Sequence, residues 1–186
     1  MVPFSLHKAR ARTMRVARRA ALLCIVCAPT ASAFVPSDKA ELRAALVAWD
    51  GDTCAPCAGT YGPVGTWDVT AVADFELLLN GLSSFDENLS GWDTHAVTTM
   101  QSMFYYATSF NQALAFDTSR VTTMYYMFGY ATSFNQALAF DTSSVTDMVG
   151  MFYSATGFNQ ALAFDTSSVT DMEYMFFSAT SFNQAL

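Results

Sequence analysis

FNQALAFDTS occurs at 110–119, again at 134–143 and again at 158–167, and its first half, FNQAL, returns at 182–186. The spacing is 24 residues, and a fixed period of that size decides the architecture before local propensity does. Working outward, Asp93, Asp117, Asp141 and Asp165 keep the register, as do Val97, Val121, Val145 and Val169. Met100 and Met103 recur as Met124 and Met127, Met148 and Met151, and Met172 and Met175. A looser copy at 66–90 carries Trp67, Asp68, Val72, Phe75, Leu78, Leu79, Phe85 and Leu89 in equivalent places. The chain therefore holds five units, the first of 25 residues.

Within a unit the apolar period changes. Leu114 and Phe116 alternate with Ala113, Ala115 and Asp117, which is strand spacing, whereas Val121, Met124, Met127 and Phe128 fall at helical spacing behind Ser119, a natural N-cap. The spacing predicts a short strand, a DTS turn, two helical turns and a loop back to the next strand. Glycine is scarce in the units, so Asp, Ser, Thr and Asn side chains are expected to make the turns. One unit cannot bury enough to fold alone, so neighbours must stack and share a core. Leu114, Phe116, Ser119 and Val121 fit the LxLxxNxL core of a leucine-rich repeat. The expected fold class is thus α/β, a leucine-rich-repeat solenoid of short parallel strands and short helices behind an N-terminal capping helix.

The whole unit, as in FDTSSVTDMEYMFFSATSFNQAL, resembles those of the BspA-like leucine-rich-repeat surface proteins, whose signature is WDTSxVTxMxxMFxxAxxFNQ. The resemblance covers 66–186 and implies a surface adhesion role. Phe116, Phe140 and Phe164 replace the tryptophan that is kept at Trp67 and Trp92, which preserves a flat aromatic and removes an indole N–H.

The two ends differ from the repeats. Basic residues crowd the start up to Arg19, the apolar run AALLCIVCA spans 20–28, and Ala31, Ser32 and Ala33 follow. That order is a secretory signal peptide over 1–33, leaving a mature chain from Phe34 that is secreted or held at the cell surface. The string ASAFVP at 31–36 is also similar to the cleavage motif of plastid-targeted proteins of algae with secondary plastids, which makes a plastid route the alternative. Ser37 to Asp50 reads as an amphipathic helix with Ser37 at its N-cap and Leu42, Ala45, Leu46 and Trp49 on one face. This helix and a cysteine loop make up a cap region over 34–65, and the repeats run over 66–186. The last unit has no polar cap, so a truncated array, an exposed apolar end or an end-to-end contact is expected there. No apolar run is long enough to span a membrane.

Nine basic residues oppose sixteen acidic ones, but six of the nine lie in the first nineteen positions. Without 1–33, three basic residues face all sixteen acids, a net charge of −13 over 153 residues. Such a body repels nucleic acid and anionic lipid, so neither is an expected partner.

Few residues suggest chemistry. Cys54 and Cys57, in DTCAPCAGTYG, have the spacing of thioredoxin-like sites, yet a Gly and Pro loop follows them, and a small structural disulfide is the expectation. The column Asp68, Asp93, Asp117, Asp141 and Asp165 invites calcium; the alternative is that each carboxylate accepts the N–H groups of its own turn. No metal, cofactor or catalytic set is predicted, because catalysis needs singular residues and this chain repeats nearly everything. The positions that do vary carry Tyr105, Tyr106, Tyr125, Tyr126, Tyr130, Tyr153 and Tyr174, either as contact residues or as packing between neighbours. The expected function is non-catalytic binding or adhesion toward a protein or glycan. A thiol-disulfide redox protein working through Cys54 and Cys57, and a structural protein assembling end to end, are the alternatives.

Overall fold

In a computed structural model, which describes residues 33–50 and 61–185, the 24-residue period takes the form of main-chain hydrogen bonds running from each unit to the next. The Met100 N–H donates to Thr123 O at 3.2 Å, Ser102 to Tyr125 O at 2.7 Å, Phe104 to Met127 O at 2.9 Å and Tyr106 to Gly129 O at 2.9 Å. The same four rungs recur from Met124, Tyr126, Phe128 and Tyr130, and again from Met148, Gly150, Phe152 and Ser154. Phe75, Leu77, Leu79 and Gly81 begin the series. All described residues belong to one compact unit, Ala31–Leu186. The signal peptide expected over 1–33 and the Cys54 and Cys57 pair fall outside the described residues, Ala33 excepted.

The expected leucine-rich-repeat solenoid of parallel strands and helices is not what forms. Among the described residues there is no sheet, only single-residue parallel bridges linking Asp74 to Thr99, Thr99 to Thr123, Thr123 to Asp147 and Asp147 to Asp171. No main-chain bond joins 113–117, the expected strand, to a neighbouring unit. Nor is the expected helix helical. Met103, Tyr105 and Ala107 donate to carbonyls three residues back, while Ser102, Phe104 and Tyr106 donate to the next unit, so no N–H is left for an α-helical bond. The segment is a run of β-turns, and each unit places two residues in the left-handed region: Ser102 and Tyr106, Tyr126 and Tyr130, Gly150 and Ser154, Tyr174 and Ser178.

The residues read as inward do point inward. Val121, Met124, Met127 and Phe128 are fully buried, and Leu114 and Phe116 nearly so. Two phenylalanine columns form the spine. Phe104, Phe128, Phe152 and Phe176 stack with centroids 5.2, 5.6 and 5.5 Å apart and planes within a few degrees. Phe110, Phe134, Phe158 and Phe182 stack at 6.0 Å beside them, and the two columns meet within each unit at 4.1–4.3 Å. Offset stacking of this kind adds to the stability that burial supplies.

Side chains extend the ladder. The Asn135 N–H donates to Asn111 Oδ1, Asn159 to Asn135 and Asn183 to Asn159, each at 2.9 Å, and Gln136, Gln160 and Gln184 reach back to the same asparagines. This is why FNQ keeps its register. Buried Thr94, Thr118 and Thr142 each donate to the carbonyl of the next unit's turn aspartate. The Trp67 and Trp92 indoles donate to Gly62 O and Val64 O, so the indole N–H serves only the first units, and Phe116 and Phe140 are buried without one.

One α-helix, α1 (Lys39–Asp50), is present among the described residues. Asp38 accepts the Glu41 N–H at 2.8 Å and is the N-cap, one residue later than the sequence reading placed it. Ser37 instead donates to the Glu41 carboxylate, completing a reciprocal cap. Leu42, Ala45 and Leu46 are buried, and Trp49 meets Trp67 edge-on. Arg43 donates to Leu78 O at 2.8 Å and Asn80 O at 2.7 Å. Their equivalents one unit on, Met103 O and Tyr105 O, accept from the preceding unit's main chain. A guanidinium fork thus takes the place of a preceding unit, and burial lowers its pKa. At the other end Met172 is 46% exposed, against zero for Met100, Met124 and Met148.

Candidate functional site

The turn chain that builds the ladder also sets out its outward side chains at fixed intervals. Seven of the eight tyrosines lie there, Tyr61 being the exception, and with Phe177 they form one connected aromatic surface over four units. Tyr106 and Tyr130 stack face to face at 4.3 Å. Tyr105 stands edge-on to Tyr106, Tyr126 and Tyr130 at 4.8, 5.9 and 5.5 Å. Tyr153 continues the surface from Tyr126 and Tyr130 to Phe177, which Tyr174 meets edge-on.

Both readings of these residues therefore apply at once. The rings pack on one another between units, yet Tyr106, Tyr125, Tyr174 and Phe177 remain exposed and Tyr105, Tyr126, Tyr130 and Tyr153 half-buried. Tyr105, Tyr125, Tyr126, Tyr130 and Tyr153, with Ser102, line an open recess of about 340 Å³. Crowding raises the pKa of the Tyr105, Tyr106, Tyr126 and Tyr153 phenols, because the rings shield them from water; neighbouring phenols add to this, and Glu173 adds to it at Tyr126. They stay protonated at neutral pH and offer hydroxyls together with π faces.

Two glycines and Phe177 belong to this surface and were not among the residues singled out as contacts. A Cβ on Gly150 would lie 2.5 Å from the Tyr126 ring, and one on Gly129 would lie 2.7 Å from the Tyr105 ring. These glycines are sockets for tyrosines of the preceding unit. The signal was legible as glycine appearing where other units carry Leu, Ser or Tyr, at Gly150, and Asn, Tyr or Phe, at Gly129, but its meaning depends on which rings the stack brings overhead.

The aspartate column lies elsewhere on the stack. Asp117 Oδ1 accepts the Ser119 N–H at 3.0 Å and its hydroxyl at 2.7 Å, and Asp141 does the same with Ser143. Asp68 accepts from Thr70, Asp93 from His95 and Asp165 from the Ser167 N–H. These side-chain and main-chain bonds hold all five carboxyls below the usual carboxylate range. Among the described residues no three His, Cys, Asp or Glu side chains converge on a point where they would hold a metal ion. Among them, too, no helix is long and apolar enough to cross a membrane.

A family model described as "Mycoplasma protein of unknown function, DUF285" matches residues 54–139 and 138–186, which together make up most of the chain. No curated protein and no solved structure matches it.

Proposed function

The chain belongs to the DUF285 family of Mycoplasma proteins of unknown function, and on that footing we propose that it is a secreted or cell-surface, non-catalytic binding module whose tyrosine face engages a protein or glycan. The carrying observation is that seven tyrosines and Phe177 converge on one solvent-facing surface, while the rest of each unit is repeated for packing. Tyrosine brings a large rigid contact area at a low entropy cost together with a polar tip, which suits it to recognition. The resemblance of the units to BspA-like surface repeats and the leader-like first 33 residues support the location. Fifteen acidic against three basic described residues disfavour nucleic acid and anionic membrane.

The test compares the mature chain with a Tyr106→Ser/Tyr125→Ser/Tyr174→Ser variant on arrays of glycans and extracellular proteins. These three side chains are exposed, so the variant keeps its core. At more than about 1 kcal/mol per lost hot-spot ring, binding should weaken at least about tenfold. An unchanged binding profile overturns the reading. For the 34–186 polypeptide taken by itself, a second reading is self-association through the unit that carries Met172, which is exposed beside an apolar recess of about 240 Å³ lined by Leu162, Phe164, Met175 and Phe176.

A further inference from the structure

We propose that the tyrosine recess takes an organic cation, a guanidinium or quaternary ammonium group, and that this is the chemistry by which the face recognises its partner. The inference rests on the reading of the tyrosine face as a binding surface. Its first support is shape. Tyr105, from one unit, stands at 73° and 87° to Tyr126 and Tyr130 of the next. Tyr153, from the third, is inclined at 38° and 48° to the same two. Rings inclined at such angles line a recess without forming the flat platform on which a sugar ring stacks. A cation seated in this open recess meets phenol oxygens as well as ring faces, both of which attract positive charge, and the recess volume of about 340 Å³ is ample for such a group.

The second support is charge. The three described cations are spent or distant: Lys39 pairs with Asp74 at 2.9 Å, Arg43 is bound to Leu78 O and Asn80 O, and Arg120 follows a DTS turn. Among the described residues no positive side chain fills the recess. The column holding Tyr125 carries Gln101, Val149 and Glu173 at the equivalent positions, and the adjoining bridged column carries Asp147 and Asp171, whereas Asp74 and Glu76 of the first unit are paired with Lys39. On the side of the later units the recess is therefore flanked by Asp147, Asp171 and Glu173, which draw in a cation and repel an anion.

The experiment titrates the mature chain with choline and with its neutral isostere 3,3-dimethylbutan-1-ol, and in parallel with an Ac-Gly-Arg-Gly amide and its citrulline counterpart. Tyrosine fluorescence and calorimetry follow the titrations. Each cation should bind at least about tenfold tighter than its neutral partner. The choline and arginine arms distinguish a free or lipid-borne ammonium from a protein side chain. Tyr126→Phe, which keeps the π face, should retain affinity within about threefold, while Tyr126→Leu loses at least about tenfold. Tyr105→Leu is a second variant in case Tyr126→Leu fails to fold. Equal affinity for charged and neutral ligands overturns the inference, as does no binding by either or equal loss in the Phe and Leu variants. Tyrosine-dependent array binding that choline does not compete overturns this inference alone. Array binding indifferent to the tyrosine substitutions overturns the wider reading, whatever the titrations give.

Discussion

Tyr106, Tyr126, Tyr130 and Tyr174 hold φ of 59°, 48°, 58° and 58°. For a bulky L-residue the left-handed region costs on the order of 1–2 kcal/mol, and such strain persists where function or packing demands it. Gly150 holds the same backbone position as Tyr126 and Tyr174 with φ 58° and without that cost. Gly150→Ala should therefore destabilise by about 1–3 kcal/mol, since the new methyl meets both an unfavourable φ and the Tyr126 ring. Gly129 has no left-handed φ, and its added methyl meets the movable Tyr105 ring and the edge of Tyr126. Gly129→Ala should cost under about 1 kcal/mol while turning Tyr105 out of place. Urea unfolding measures the two costs, and the near-ultraviolet tyrosine signal reports the ring. Equal destabilisation by both substitutions would contradict the role given to the backbone.

Between units, the DTS turn is where pH should act. The five turn carboxyls sit below their ordinary range because hydroxyl, ring nitrogen and main-chain N–H donors favour the charged form. A carboxyl depressed in the folded state stabilises the fold above its unfolded pKa, near 3.9, and loses that contribution as pH falls through the folded value. The melting temperature should be nearly flat from pH 7 to about 5 and fall below about 4. Asp117→Asn/Asp141→Asn/Asp165→Asn keeps an acceptor in each turn and removes the titration, so its curve should fall less in acid. The same turns mark how far sequence reasoning reaches. Asp141 and Ser143 are local partners, so their pairing is readable from spacing; likewise the inward residues, because burial follows the repeat register whatever the backbone does. The backbone itself does not follow from the spacing. Val121, Met124, Met127 and Phe128 have helical spacing, but the N–H groups a helix needs are taken by the neighbouring unit. The tyrosine surface was legible as a list of variable positions and not as a recess, since Tyr105, Tyr126 and Tyr153 meet only across three units.

The first and last described units of the stack differ. At the first unit α1 buries Leu42, Ala45 and Leu46, and Arg43 occupies two carbonyls that elsewhere accept from a preceding unit. At the last, Met172 is 46% exposed, and the main-chain N–H groups of Met172, Tyr174, Phe176 and Ser178 make no bond of the kind their counterparts in the preceding unit make. A head-to-tail contact, which would propagate into fibres, needs carbonyls at the first unit that Arg43 already holds. Two last units can still meet through their apolar residues, and that contact closes on itself. Sedimentation of the 34–186 polypeptide over a range of concentrations should show dimers and nothing larger, and Met172→Lys should keep that polypeptide monomeric at little cost to folding, because the side chain is already half in water. Arg43→Ala should reverse the restriction. It leaves Leu78 O and Asn80 O without their donor, at about 1–3 kcal/mol, and opens the first unit to the N–H groups of another chain's last unit. The expected result is assemblies beyond the dimer, which the double variant Arg43→Ala/Met172→Lys should suppress; wild-type filaments, or an Arg43→Ala protein that stays dimeric, would show that the arginine does not close the first end.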